Sequence, residues 1–283
     1  MNITSLVDTH VHLWNPGVLR YPWLDDLPAL NRAWLPADFA SASQAVNVTK
    51  LVFVECGREP GQSLAEVDWI ESLVPHEPRL RGIVAHAALE QGATARAELA
   101  RLAERPLVKG VRRLLQGETE ADFCLRPDFI AGVRLLAEFG FTFDLCIRHE
   151  QLRAVSELVR RVPEVRFVLD HLGKPPVRAG QVEPWAAELR ALATLPNVSC
   201  KLSGLLTEAD WQLWRPEQLQ PFIEVALEAF GFDRVLFGGD WPVLNLAGDY
   251  SRWLGMLEVC LAGVGEGELQ KLFRINAENF YHV

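Results

Sequence analysis

Positive charge is the scarcer sign in this chain: 28 Lys and Arg stand against 37 Asp and Glu, a formal net charge of −9. A net anion attracts neither nucleic acid nor an anionic membrane, so both are disfavoured as partners. A small anionic ligand is not excluded, because a few local arginines override the total field. Cysteine is sparse as well. The five present (Cys56, Cys124, Cys146, Cys200 and Cys260) are odd in number and show no CxxC pairing. That argues against a disulfide framework and fits a reducing cytoplasm. No apolar run approaches the length of a membrane span. Met1 to Val7 lacks a basic region and is too short for a secretory leader. A cytoplasmic protein is expected. No repeat, low-complexity tract or Gly/Ser linker interrupts the sequence, so one domain spanning 1–283 is expected.

What the chain does have is alternation. Short β-branched runs start near Val7, Val48, Leu80, Leu107, Phe141, Val165, Val198 and Arg234, with helix-patterned stretches between them. Strands alternating with helices predict parallel βαβ units, and eight such units close a (β/α)8 barrel of the TIM type. Helical spacing predicts helices over Gln151–Val162, Trp211–Phe230, Tyr250–Leu261 and Leu269–Phe280. Pro127, Pro184 and Pro216 sit where helices begin. Asn15–Pro36 is too long and irregular for an ordinary connection, and it carries Tyr21, Trp23 and Trp34. Such a segment is either functional or an aromatic plug.

In a parallel barrel the site lies at the C-terminal ends of the strands. The first run, Val7 to Leu13, places His10 and His12 on one face, one pleat apart. Two imidazoles so spaced grip one metal ion or one carbonyl oxygen. Nearly every other run also ends in an ionisable residue. These are Glu55 and Cys56; His86; Lys109, Arg112 and Arg113; Asp144, Arg148 and His149; Asp170 and His171; Lys201; and Asp240 beside Trp241. Their concentration at strand ends implies one shared pocket. By alternation Asp170 points away from His171 and is expected to cap a helix or hold a loop. His86 reads as a satisfied core histidine, and His149 as lying above the pocket. At most two of Lys109, Arg112 and Arg113 face inward. A buried Glu55 must serve either a metal or an arginine.

The motifs Asp8-Thr9-His10-Val11-His12-Leu13-Trp14, Val108-Lys109-Gly110-Val111-Arg112-Arg113, Asp170-His171-Leu172-Gly173-Lys174-Pro175, Cys200-Lys201-Leu202-Ser203-Gly204 and Gly238-Gly239-Asp240-Trp241-Pro242 occur in this order. Together they resemble the sugar-lactonase group of the amidohydrolase superfamily, over nearly the whole chain. The resemblance implies a barrel that opens a cyclic ester, with a small sugar lactone of the L-fucono- or L-rhamnono- kind as partner. It gives His10 and His12 the first-strand His-x-His role, His171 the sixth-strand role and Asp240 the eighth-strand role.

One departure stands out. The fifth strand reads Phe143-Asp144-Leu145-Cys146, with His149 only beyond it, and the fourth offers Lys109 but no glutamate. A two-metal site is therefore not expected. One divalent ion such as Zn²⁺ is admissible on His10, His12 and Asp240 with Glu55 or water, and so is metal-free catalysis. The expected chemistry has Asp240 as general base, with His10, His12 and His171 polarising the carbonyl directly or through the ion. Arg112 or Arg113, Lys201, Glu55, Asp144, Trp23 and Trp241 would position the substrate. The alternatives are a metal-dependent decarboxylase of the same superfamily and a non-catalytic binding barrel. A homo-oligomer is compatible with the sequence.

Overall fold

The β-branched runs form eight strands in this computed structural model, which describes residues 5–283. The N-terminal stretch weighed above as a leader lies, up to residue 4, outside the described residues. The strands are β1 Leu6–Val11, β2 Val48–Val54, β3 Leu80–Ala85, β4 Val108–Arg112, β5 Thr142–Leu145, β6 Phe167–Leu169, β7 Val198–Leu202 and β8 Val235–Phe237. All pair in parallel and in sequence order. The eighth returns to the first beyond its own end, where Val11 bridges Trp241 and the His12 amide donates to the Trp241 carbonyl at 2.7 Å. The result is a (β/α)8 barrel, and its seam closes at the predicted site.

Eight helices wrap it: α1 Pro36–Ala42, α2 Ser63–Ser72, α3 Arg96–Ala103, α4 Pro127–Phe139, α5 Leu152–Arg161, α6 Trp185–Ala193, α7 Pro216–Phe230 and α8 Tyr250–Cys260. The amphipathic pattern works as expected in α5, which buries Leu152, Val155, Leu158 and Val159 and turns Arg160 and Arg161 outward. The stretch predicted to be helical from Trp211 starts only at Pro216. Proline is well placed in a first helical turn, and the same helix runs on through a second proline, Pro221, in its interior. The C-terminal helix is divided into α9 Glu266–Gln270, a π turn Lys271–Ile275 and α10 Asn276–Tyr281. Among the described residues no helix is long and apolar enough to cross a membrane, and all five cysteines are free.

Two features of the barrel position the site. First, β1 carries a bulge. Asp8 faces Leu51 and Val11 faces Phe53, so Thr9 and His10 together stand against Val52 alone. The extra residue reverses the alternation that runs from Val7, whose side chain fills the interior, and turns His10 and then His12 inward. Asp8 stays outside and pins the bulge: its carboxylate accepts from the His10 and Gly239 amides at 3.0 and 2.8 Å and from the Tyr250 hydroxyl at 2.7 Å. The Gly238–Gly239 pair lets β8 come this close, since a Cβ on Gly238 would sit 2.8 Å from that of His10. Second, the lower barrel is apolar. Val7, Val52, Val54, Val84, Val168 and Leu236 meet there, and Ala277, Phe280 and Tyr281 of α10 close the floor.

Candidate active site

A cavity of about 390 Å³ opens at the C-terminal ends of the strands. At its foot lie His12, His171, Asp240 and Arg112, and its walls include Trp23, Gln116, Lys174 and Thr207. The three histidines converge on one atom. Nε2 of His12, His10 and His171 lies 3.5, 3.7 and 3.9 Å from Asp240 Oδ1. Two of these imidazoles are oriented from behind. His12 Nδ1 is 2.8 Å from the Val54 carbonyl, an acceptor only, so Nδ1 carries the hydrogen and Nε2 presents its lone pair to the pocket. His171 Nδ1 is 2.9 Å from the Ser203 hydroxyl. Burial pushes His171 down to about 4 and His10 well below its ordinary range. For Asp240 burial works the other way, but His171, His12 and His10 outweigh it and hold the carboxyl below the usual carboxylate range.

The backbone at both strand ends is left-handed. Asp240 has φ 54°, and His171, Leu172, Gly173 and Lys174 run at 54°, 55°, 69° and 52°. Four such residues in succession, three of them not glycine, are costly and persist only where surrounding contacts impose them. Here the turn bends His171 back over the barrel mouth. Gly204 makes room for it, since a Cβ there would stand 2.3 Å from His171 Nδ1.

Under the histidines lies a layer of buried charge. Arg112 Nε donates to Glu55 at 2.9 Å, and its second Nη donates to the Glu55 carbonyl. Arg112 Nη1 lies 3.2 Å from His10 Nε2 and 3.3 Å from Asp170 Oδ2. Lys201 Nζ is 2.5 Å from Asp144 and 3.0 Å from Asp170. Arg58 reaches Glu55 at 3.6 Å. Three cations thus stand among three carboxylates in this layer, and Asp240 lies above it among the histidines.

A family model described as amidohydrolase matches residues 7–283. The chain belongs to the amidohydrolase family. It is 31% identical over 290 residues to an L-fucono-1,5-lactonase of Burkholderia ambifaria, covering 99% of this chain and 97% of that one. An L-rhamnono-gamma-lactonase of Scheffersomyces stipitis is 25% identical over 62% of this chain and 60% of its own. An amidohydrolase crystal structure from Burkholderia multivorans with bound zinc superposes with a TM-score of 0.88 at 31% identity, covering 98% of this chain and 99% of that one.

This amidohydrolase distributes the other predicted residues in several ways. Trp23 is on the pocket wall, with its indole N–H donating to the Cys56 carbonyl at 2.7 Å. Asp144 and Lys201 are fully buried beneath the pocket. Glu55 spends its carboxylate on Arg112, Arg58 and the Gly57 amide rather than turning to the histidines. Arg113 leaves the pocket for Glu90 and Glu118, at 3.1 and 2.7 Å. The Trp241 ring packs edge-on against Trp34 and tilted against Phe39, away from the cavity. His86 pairs with Ser63 at 3.1 Å beside a neighbouring cavity, and His149 pairs with Glu150 at 3.4 Å. The expectation for Asp170 is corrected. It caps no helix but sits inside the barrel between Arg112 and Lys201, because the left-handed turn at His171 brings both neighbours to the interior side. Lys174, Gln116 and Thr207 were missed as pocket residues. Lys174 stood inside a quoted motif, but only the left-handed turn places it on the wall.

Glu66 supplies a pH test of the buried layer. Its carboxylate oxygen accepts the Cys56 amide at 3.1 Å, and burial together with nearby Glu55 pushes its carboxyl up to about 8. The folded state therefore keeps a proton that the unfolded chain gives up above about 4.5. That contribution is complete below pH 4.5 and is lost as the pH rises through 8. Urea unfolding should show a loss of about 1 kcal/mol between pH 7 and 9 that is absent in Glu66→Gln. Equal slopes for the two proteins would contradict the assignment.

Proposed function

We propose that the protein hydrolyses a sugar lactone, an aldonolactone of the L-fucono or L-rhamnono kind, to its aldonate. The observation that carries this reading is the convergence of three imidazole Nε2 atoms on one Asp240 oxygen at the foot of a sugar-sized cavity. The lactonase names of the relatives support it. Trp23 offers an apolar face to the ring, and Gln116, Thr207 and Lys174 offer polar partners to its hydroxyls.

His12 Nε2 and Asp240 Oδ1 are both acceptors and face each other at 3.5 Å. A water held by this pair gives one hydrogen to each, and Asp240 takes its proton as the water attacks the carbonyl carbon. The Arg112 guanidinium and His171 stand on the same floor to stabilise the oxygen that becomes negative. The ring C–O bond then breaks. The alkoxide remains tethered to the acyl group and takes the proton back from Asp240.

The donor set also fits one divalent cation. The His10 and His12 nitrogens lie 3.7 and 3.5 Å from the Asp240 oxygen, close to the separation of about 3.4 Å set by tetrahedral zinc with bonds of 2.0–2.1 Å. His10, His12 and Asp240 would hold the cation, and it would supply Lewis-acid polarisation of the carbonyl. The test is acid release from a panel of aldonolactones, followed with a pH indicator, before and after chelation and after zinc is restored. Turnover of an L-sugar lactone is expected. Its loss on chelation and return with zinc would place the ion in the site. Release of CO₂ from a carboxylated substrate would favour a decarboxylase, and binding without turnover a non-catalytic barrel.

A further inference from the structure

The barrel floor holds a residue that none of the chemistry above uses. Tyr281 ends α10, enters the barrel from the side opposite the pocket and is fully buried. Its hydroxyl donates to Asp144 Oδ2 at 2.7 Å. The Lys201 ammonium lies over its ring, 5.4 Å from the centroid. From there the contacts climb. Asp144 Oδ2 holds Lys201 Nζ at 2.5 Å, Lys201 meets Asp170 Oδ1 at 3.0 Å, and both stand beside His10 Nδ1, at 3.3 and 3.4 Å. The π turn before α10 and Asn276, whose amide donates to the Phe232 and Val235 carbonyls at 2.7 Å each, fix where this helix enters.

We propose that Tyr281 is a positioning residue for the catalytic histidines: through Asp144 it seats Lys201, so that Asp170 is fixed beside His10 Nδ1 and holds that nitrogen in its protonated tautomer. Two neighbouring cations compete to set that tautomer. Arg112 donates toward Nε2, which requires a hydrogen on Nδ1. Lys201 donates toward Nδ1, which requires the opposite. When Lys201 is drawn down onto Asp144, Asp170 becomes the acceptor for Nδ1–H, and the Nε2 lone pair is left to accept from Arg112 on the pocket side of the ring. An anchor of this kind explains why two carboxylates and a lysine, all inaccessible to substrate, lie on the barrel axis. It assigns Asp144 and Lys201 to support rather than to substrate contact. The charged and titratable groups around Asp144 are Lys201 from β7, Asp170 beyond β6, Arg112 from β4 and Tyr281 from α10.

The test compares Tyr281→Phe, which removes one oxygen, with Phe280→Ala, which loosens the same floor without touching Asp144. The first readout needs no substrate: the ¹⁵N shifts of the His10 ring in metal-free protein. The wild type should show a protonated Nδ1, Phe280→Ala the same, and Tyr281→Phe a mixture of tautomers. The second readout rests on the lactonase reading. Tyr281→Phe should lower kcat about 10-fold with KM unchanged and move the acid limb of the kcat profile to higher pH, because Asp144 loses a hydrogen bond that favours its charged form. Phe280→Ala should lower the melting temperature and leave kcat in place. Unchanged His10 shifts in Tyr281→Phe would overturn the proposal even if no lactone is turned over. So would equal kcat losses in the two variants.

Discussion

Asp240→Asn should lower kcat on the lactone by about a thousandfold, within the range for removing a positioned general base, while KM changes little. The amide has the size of the carboxylate and keeps the backbone bond from the Asp240 N–H to the His10 carbonyl at 2.8 Å. It cannot accept the proton of the attacking water. The melting temperature should stay within a few degrees of wild type, because the three imidazoles around it keep their other contacts, to Val54, Ser203 and Asp170. Wild-type turnover in this variant would remove Asp240 from the chemistry. A large loss of stability would make the activity result uninformative about a base, and a circular dichroism melt decides between the two.

Arg112→Met should have the largest effect on stability. Arg112 is the cation shared by Glu55 and Asp170, all three fully or nearly fully buried. Removing it leaves two carboxylates in the interior without their partner, at a cost of about 3–5 kcal/mol. Glu55 feels the change most. Burial works to raise its carboxyl, and Arg112, followed by Arg58, holds it below the ordinary range. The double variant Arg112→Met with Glu55→Gln should recover part of the loss, since contacting residues are not additive. Urea unfolding of the two single variants and the double checks this. A single-variant cost below about 1 kcal/mol would show that the buried layer is not held by this pair.

Much of the frame was legible in the sequence, for a physical reason. A buried parallel strand must be apolar and is best filled by β-branched residues, so Leu51–Val54 and Phe167–Leu169 announce themselves, and the eight runs start within two residues of the observed strands. His10, His12, His171 and Asp240 were legible because they end such runs. What escaped was decided by backbone geometry that composition does not encode. The β1 bulge turns His10 inward against the alternation from Val7. The left-handed turn from His171 to Lys174 brings Asp170 and Lys174 to places that strand alternation denies them. Trp241 follows His10 and Asp240 in the seam, but its ring is claimed by Trp34 and Phe39. Tyr281 carries no motif at all, because its role depends on where the last helix enters the barrel.

The most direct test of the proposed reaction is lactone turnover in H₂¹⁸O, with the aldonate analysed by mass spectrometry and ¹³C NMR and the Asp240→Asn protein as background. Attack of an Asp240-activated water on the carbonyl predicts one ¹⁸O per turnover, all of it in the carboxylate. Label on the carbon bearing the released ring hydroxyl, or turnover no faster than the Asp240→Asn background, would contradict it.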